Sequence, residues 1–195
     1  MQAEIITIGD ELLIGQVVDT NSAWLGRTLG EDGIKVTQIT SVQDDADQIA
    51  RAVNEALARV SIVLVTGGLG PTRDDITKHT LAELFGMRLV RDEQVYETVR
   101  RQLAVRGIAF NELNRGQALV PDGCTVLPNR NGTAPGMWLE RGGKILVSMP
   151  GVPFEMKALD TNEVLPRLRT HFSLHANVHR TAITFGLAES ILAET

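Results

Sequence analysis

The segment "LVTGGLGPTRDDITKHT", Leu64 to Thr80, decides how the rest of the chain is read. The apolar run Ile62 to Thr66 stops at Gly67, Gly68 and Gly70, and Pro71 and the pair Asp74 and Asp75 follow. A short apolar run bounded by turn residues predicts a buried strand. The pattern then changes to helical spacing, which predicts a helix from about Asp74 to Phe85 stopped by Gly86. A buried strand that passes through a glycine-rich bend into a helix is half of a βαβ unit.

The same alternation extends upstream. Ile5 to Ile8 form a β-branched run ending at Gly9, read as a strand. Thr20 or Asn21 is placed to cap a helix that carries Trp24, Leu25, Thr28 and Leu29 on one face and is closed by Gly33. Ile34 to Val42 give a second strand, and Ile49, Val53, Leu57 and Val60 repeat at helical spacing. Strands alternating with helices at this spacing predict an α/β fold with a parallel sheet covered on both faces. Downstream the pattern is less regular. Glu93 to Arg106 and Asn111 to Leu119 read as helices, and Met137 to Glu140 with Lys144 to Met149 as a strand pair around Arg141 to Gly143. Glu155 to Arg169 reads as a helix kinked at Pro166. Residues 1–170 make one domain on this reading. Residues 171–195 make a linker and the truncated start of a second small α/β unit, with a strand at Arg180 to Phe185 and a helix opening at Leu187 to Glu194.

Bulk properties narrow the function. The 195 residues carry a net charge of −5, with no basic footprint for nucleic acid and no polybasic segment for a membrane surface. No apolar run approaches the roughly 20 residues of a membrane span. A single cysteine, Cys124, excludes an internal disulfide and fits a reducing, cytoplasmic location. Beside the turn "PDG" it reads as a small packed residue. His171, His175 and His179 have i, i+4, i+8 spacing, but no carboxylate accompanies them, and an exposed linker is the better reading than zinc.

Chemistry concentrates at the strand ends. Gly9, Asp10 and Glu11 follow the first strand, and Asp44 and Asp45 the second. The triple-glycine bend with Asp74 and Asp75 follows the third, and Pro150, Gly151, Pro153 and Glu155 follow the Lys144 to Met149 strand. Open α/β sheets bind ligands outside the carboxyl ends of their strands. Glycines let backbone N–H groups approach a ligand, and the next helix N-terminus favours phosphate. The bend has neither the Walker A lysine nor the G-x-G-x-x-G spacing, so taken alone it fits equally a tight turn with Asp74 or Asp75 capping the helix. The carboxylates sharpen the reading. They repel phosphate unless a divalent cation lies between, and Mg²⁺-type ions use one or two carboxylates plus phosphate oxygens. Arg73, Lys78 and Lys157 are near enough in sequence to neutralise further charge.

Five stretches together resemble the N-terminal domain of the CinA (competence/damage-inducible) family, itself similar to the MoaB/Mog-like molybdopterin-binding domain. They are "IGDELLIGQVVDTN" (Ile8 to Asn21), "TGGLGPTRDDIT" (Thr66 to Thr77), "NRGQALVP" (Asn114 to Pro121), "NRNGTAPG" (Asn129 to Gly136) and "PGVPFEMK" (Pro150 to Lys157). Gln43, Gly116 and Phe154 depart from that family's usual residues, and Phe154 is placed to narrow a pocket. The resemblance implies a three-layer α/β/α fold around a mostly parallel mixed sheet. It implies a metal-dependent pyrophosphatase that cleaves ADP-ribose to AMP and ribose 5-phosphate, and a homo-oligomer. The activity associated with that family's separate C-terminal domain is not carried over.

On this reading Asp44 and Asp75 bind a divalent Mg, Mn or Co ion, with a monovalent cation as a further candidate. Asp10, Asp74 and Glu155 orient or activate water. Asn21, Gly67, Gly68, Gly70, Thr72 and Gly151 hold a small-molecule nucleotide. Two alternatives remain: a protein that binds or adenylylates molybdopterin, and a non-catalytic nucleotide-binding module.

Overall fold

The computed structural model describes residues 1–72, 75–173 and 185–186. Arg73, Asp74, His175, His179 and, apart from Phe185 and Gly186, the strand and helix expected after residue 180 lie outside the described residues.

The chain begins with strand β1 (Gln2–Ile8), a short helix α1 (Asp10–Leu13) and helix α2 (Thr20–Glu31). Strand β2 (Lys35–Val42), helix α3 (Ala46–Arg59), strand β3 (Ile62–Thr66) and helix α4 (Thr77–Leu84) follow. Strand β4 (Leu89–Arg91), helices α5 (Glu93–Val105) and α6 (Glu112–Gly116), and strand β5 (Leu119–Pro121) form a small lobe. Strands β6 (Thr125–Leu127), β7 (Gly136–Arg141) and β8 (Lys144–Met149) return to the main sheet. Helix α7 (Pro153–Leu159), a π-helical turn (Asp160–Val164) and helix α8 (Leu165–Phe172) run on from there.

The main sheet has six strands in the order β2-β1-β3-β8-β7-β6. The first four are parallel, and β7 and β6 continue the sheet antiparallel. The parallel strands therefore all end at one edge, at Val42, Ile8, Thr66 and Met149. The chain passes from β1 outward to β2, then back across to β3 on the other side. That reversal is a topological switch point, where adjacent loops diverge and leave a crevice.

Alternation along the strands sends side chains to two cores. Ala3 and Ile5 of β1, Ile62 and Leu64 of β3, and Ile145 and Val147 of β8 meet Leu25 and Leu29 of α2 and Met156, Leu159 and Leu168 of α7 and α8. On the opposite face, Ile6, Ile8, Val63, Val65 and Leu146 pack against Ile49, Val53 and Leu57 of α3 and Leu81 of α4. Helices cover both faces, giving the three-layer α/β/α arrangement. The small lobe has its own cluster of Val95, Val99, Leu103 and Ala118, with Tyr96 and Phe110 edge to face.

Several local expectations are corrected. Asp19, rather than Thr20 or Asn21, caps α2, its Oδ1 accepting from the Ser22 N–H at 2.9 Å. Helix α4 starts at Thr77 with no side-chain cap, because Asp75 is used in the preceding loop. The helix expected to reach Leu119 stops at Gly116, and Leu119–Pro121 pairs antiparallel with β4. Pro166 lies in the first turn of α8, where its missing N–H breaks no ladder bond; the irregularity sits earlier, in the π-helical turn. Cys124 is half-buried, and burial pushes its thiol up to about 11, which agrees with a packed residue.

Candidate functional site

A cleft of about 610 Å³ opens at the switch point. Its floor is the end of β1 (Thr7, Ile8, Gly9) and the bend after β3 (Thr66 to Thr72). Residues Val17 to Asn21 at the start of α2, Gly132 to Ala134, and Pro150 to Pro153 form its walls.

The glycine bend has steric reasons for its composition. A Cβ on Gly67 would sit 2.1 Å from the Ile8 carbonyl oxygen, and Gly67 has φ 114°. A Cβ on Gly68, at φ 63°, would meet Thr77 Oγ1 at 2.0 Å and Asp44 Oδ1 at 3.2 Å. Beyond the bend, Asp75 folds back over the loop. Its Oδ1 accepts from the Gly70 N–H at 2.7 Å, and its Oδ2 from the Thr72 N–H at 2.8 Å and the Thr72 hydroxyl at 2.6 Å. The Asp75 carboxylate is therefore an anchor that gives the loop one shape, a role beyond the metal binding expected of it.

The opposite wall is pinned by Asn21. Its Nδ2 donates to the Gly151 carbonyl at 2.8 Å and to Thr66 Oγ1 at 3.2 Å, and the Thr66 hydroxyl donates to the Pro150 carbonyl at 2.9 Å. The ends of α2, β3 and β8 are thereby tied together. Asn21 Oδ1 and Thr77 Oγ1 are both buried without a partner.

Glu155, in the first turn of α7, accepts from Asn129 Nδ2 at 2.7 Å. Asn129 also donates to the Ala134 carbonyl at 2.9 Å and accepts from the Asn131 and Gly132 N–H groups, each at 3.0 Å. Gly132 is required here, since a Cβ would lie 1.9 Å from the Glu155 carboxylate.

Glu11, Asp19, Asp44, Asp75 and Glu155 all line the cleft. Asp10 does not; it stands behind Asp44, to which its backbone N–H donates, and Glu11 takes the position on the wall. Burial, and then the charges of Asp10, Glu11 and Asp75, push the Asp44 carboxyl above its usual range, against the lowering effect of the Asp10 N–H. None of these acids is in an ion pair among the described residues. Lys78 bears on Asp75 through its charge but forms no ion pair with these acids. It is buried, burial brings it down to about 8, and its Nζ donates to the Gly116 carbonyl at 2.9 Å. Lys157 lies over the Trp24 ring.

Among the described residues no three histidine, cysteine, aspartate or glutamate side chains converge as a ready-made metal cage. The arrangement suits an ion of Mg²⁺ type, which takes one or two carboxylates and completes its shell from water and a guest's phosphoryl oxygens. Asp44 could donate to such an ion, which would relieve the repulsion that its carboxyl meets.

The sequence-predicted Asn21, Gly67, Gly68, Gly70, Thr72 and Gly151 all line this one cleft. Sequence reasoning missed Asp19, Glu11 as a wall residue, Arg106 and Asn129. An aspartate three residues before Ser22 was a readable capping signal for the first. Asn129 and Arg106 have no local signal, because their partners are remote in sequence or in another lobe.

Comparison with known proteins gives the family and agrees with the fold. Residues 4–170 match the family model described as "Probable molybdopterin binding domain". A CinA structure from Thermoplasma acidophilum, described as having unknown function, superposes with a TM-score of 0.76 at 37% identity, over 82% of this chain and 94% of that one. The chain belongs to the CinA-like group of molybdopterin-binding domains. A CinA-like protein from Cytophaga hutchinsonii is 47% identical over 98% of this chain and 46% of its own length. The chain thus spans about half the length of the curated relatives it matches. MoaB, a molybdopterin biosynthesis enzyme from Thermus thermophilus, superposes with a TM-score of 0.57 at 21% identity, over 88% of this chain and 96% of that one, which shows the shared fold.

Proposed function

We propose that the cleft hydrolyses the diphosphate bond of a nucleoside diphosphate sugar, with ADP-ribose giving AMP and ribose 5-phosphate as the reaction it suits best. The observation that supports this most is the group Asp10, Glu11, Asp44 and Asp75, without an ion pair among the described residues, in which the other three charges bear on Asp44 beside the glycine bend of the cleft floor. Such a group raises the free energy of the empty cleft and is stabilised when a cation enters with an anionic guest.

Gly67, Gly68 and Gly70 let the bend pack against Ile8, Thr77 and Asp75 at the cleft floor, where the guest would lie, and Asp75 holds the bend in one conformation. Asn21 fixes Gly151 and the opposite wall. Glu155, oriented by Asn129, is the carboxylate placed to accept a proton from water. Asp44, with Asp75 beside it, would hold the divalent ion, which supplies charge neutralisation and Lewis acidity at a phosphoryl oxygen.

The expected outcome is release of AMP from ADP-ribose by the purified chain with Mg²⁺, Mn²⁺ or Co²⁺, followed by chromatography. Asp75→Asn is expected to lose about 100-fold or more, because it weakens both the loop anchor and the charge set. An unchanged rate in that variant defeats the assignment.

A second reading is favoured by the family match: the same cleft binds molybdopterin, whose phosphate would occupy the glycine bend. Tight pterin binding without AMP release from ADP-ribose supports that reading over hydrolysis.

A further inference from the structure

We propose that Arg106 is the phosphate-recognising cation of the cleft, reaching it from the small lobe. This rests on the reading of the cleft as a site for a phosphorylated guest, and adds the residue that binds the guest's anion directly.

The cleft wall contains five carboxylates and, among the described residues, one lysine or arginine, Arg106. Arg106 follows the last turn of α5, whose Val95, Val99 and Leu103 belong to the separate core of the small lobe. Its Nη2 donates to the Asn131 carbonyl at 3.1 Å. That carbonyl belongs to the loop whose Gly132 lies against Glu155. A guanidinium has five N–H donors in a planar fork, so this one bond leaves a face of the fork for a guest.

The surroundings make this selective. Other arginines near carboxylates are paired: Arg59 with Glu4, Arg169 with Asp32, Arg115 with Glu112. Arg106 lines a cleft with five acids and forms no ion pair with any of them among the described residues. The bond to Asn131 ties it to the loop 129–132, while no ion pair with an acid engages its charge among the described residues. The cleft thus offers acids to a cation and one arginine to an oxyanion. A fork matched to two phosphate oxygens is what a diphosphate linkage offers.

The test compares Arg106→Gln and Arg106→Lys with the parent chain. Glutamine retains an N–H donor for the Asn131 carbonyl and removes the charge. Lysine keeps a charge and removes the fork. Calorimetric titration with ADP-ribose in a non-cleavable form, a methylene replacing its bridging oxygen, with inorganic pyrophosphate and with adenosine, each with Mn²⁺, separates the effects. Arg106→Gln is expected to weaken ADP-ribose and pyrophosphate about 10- to 100-fold, the range for losing a hydrogen bond to a charged group. Arg106→Lys is expected to recover part of that, and adenosine is expected to bind all three proteins alike. Equal weakening of all three ligands would show that Arg106 only shapes the Asn131 loop, and would overturn the inference. Unchanged pyrophosphate binding in Arg106→Gln would also overturn it, while leaving the diphosphate reading intact. If the parent chain binds neither ADP-ribose nor pyrophosphate, both this inference and the reading under it fail.

Discussion

The protein treats its carboxylates in two ways, and the difference separates framework from site. Away from the cleft, Glu4 is buried and receives Arg59 in a two-point bond at 2.8 Å from both Nε and Nη2. Asp32 receives Arg169 likewise, at 2.8 and 2.9 Å. Asp160, fully buried, accepts from Trp24 Nε1 at 3.2 Å and Thr28 Oγ1 at 3.1 Å. At the cleft, the charges of Asp10 and Glu11 add to burial in raising the Asp44 carboxyl above its usual range, and none of the three has an arginine or lysine ion-pair partner among the described residues. Paired acids hold the layers together. Unpaired acids crowded at strand ends store repulsion that a cation can release.

The comparison can be broken most sharply at Asp44. Asp44→Asn is expected to lower ion-dependent turnover of ADP-ribose by about 100-fold, the scale of losing one preorganised electrostatic group. The same variant is expected to melt no lower than the parent without ions, because it removes repulsion. A stability loss with retained turnover would place Asp44 with the framework acids.

Asp32→Asn is the converse test. It breaks a largely buried pair whose arginine is half exposed, and a loss of about 2 kcal/mol is expected after allowance for solvent at the arginine. Urea unfolding measures that loss, and turnover of the folded fraction is expected to stay unchanged. Reduced turnover at full folding would remove the distinction.

Asp160 gives the most specific signal, a dependence on pH. Burial raises its carboxyl to about 6, against the hydrogen bonds from Thr28 and Trp24. The folded state therefore holds a proton more tightly than the unfolded chain, whose aspartates titrate near 3.9. This contribution to stability is complete below about pH 4 and is lost as pH rises through 6. Denaturant unfolding between those values is expected to show a fall on the order of 2–3 kcal/mol from this group, and Asp160→Asn is expected to flatten it. An equal slope in the variant would assign the effect elsewhere.

The core of this arrangement was legible in the chain. Short apolar runs mark β1 and β3, which are buried on both faces, and helical spacing marks α2 and α3, which each bury one face. The glycine bend and the acids after the strands are readable because parallel topology puts all strand ends at one edge. What escaped depends on distant partners. Leu119–Pro121 becomes a strand only because Leu89–Arg91 lies beside it. Asp75 cannot be seen as a loop anchor until the chain turns Gly70 and Thr72 toward it. Asp10 and Glu11 differ only in which way α1 faces. Asn129 reaches Glu155 across 26 residues, and Arg106 enters from another lobe.

One measurement tests the central claim most directly: equilibrium binding of non-cleavable ADP-ribose, a methylene replacing its bridging oxygen, with and without Mn²⁺, to the parent chain, Asp44→Asn and Asp32→Asn. Mn²⁺ is expected to tighten binding about tenfold or more in the parent and in Asp32→Asn, and to leave Asp44→Asn unchanged. Equal affinity with and without the ion in the parent, or an ion effect that survives Asp44→Asn, would contradict the account.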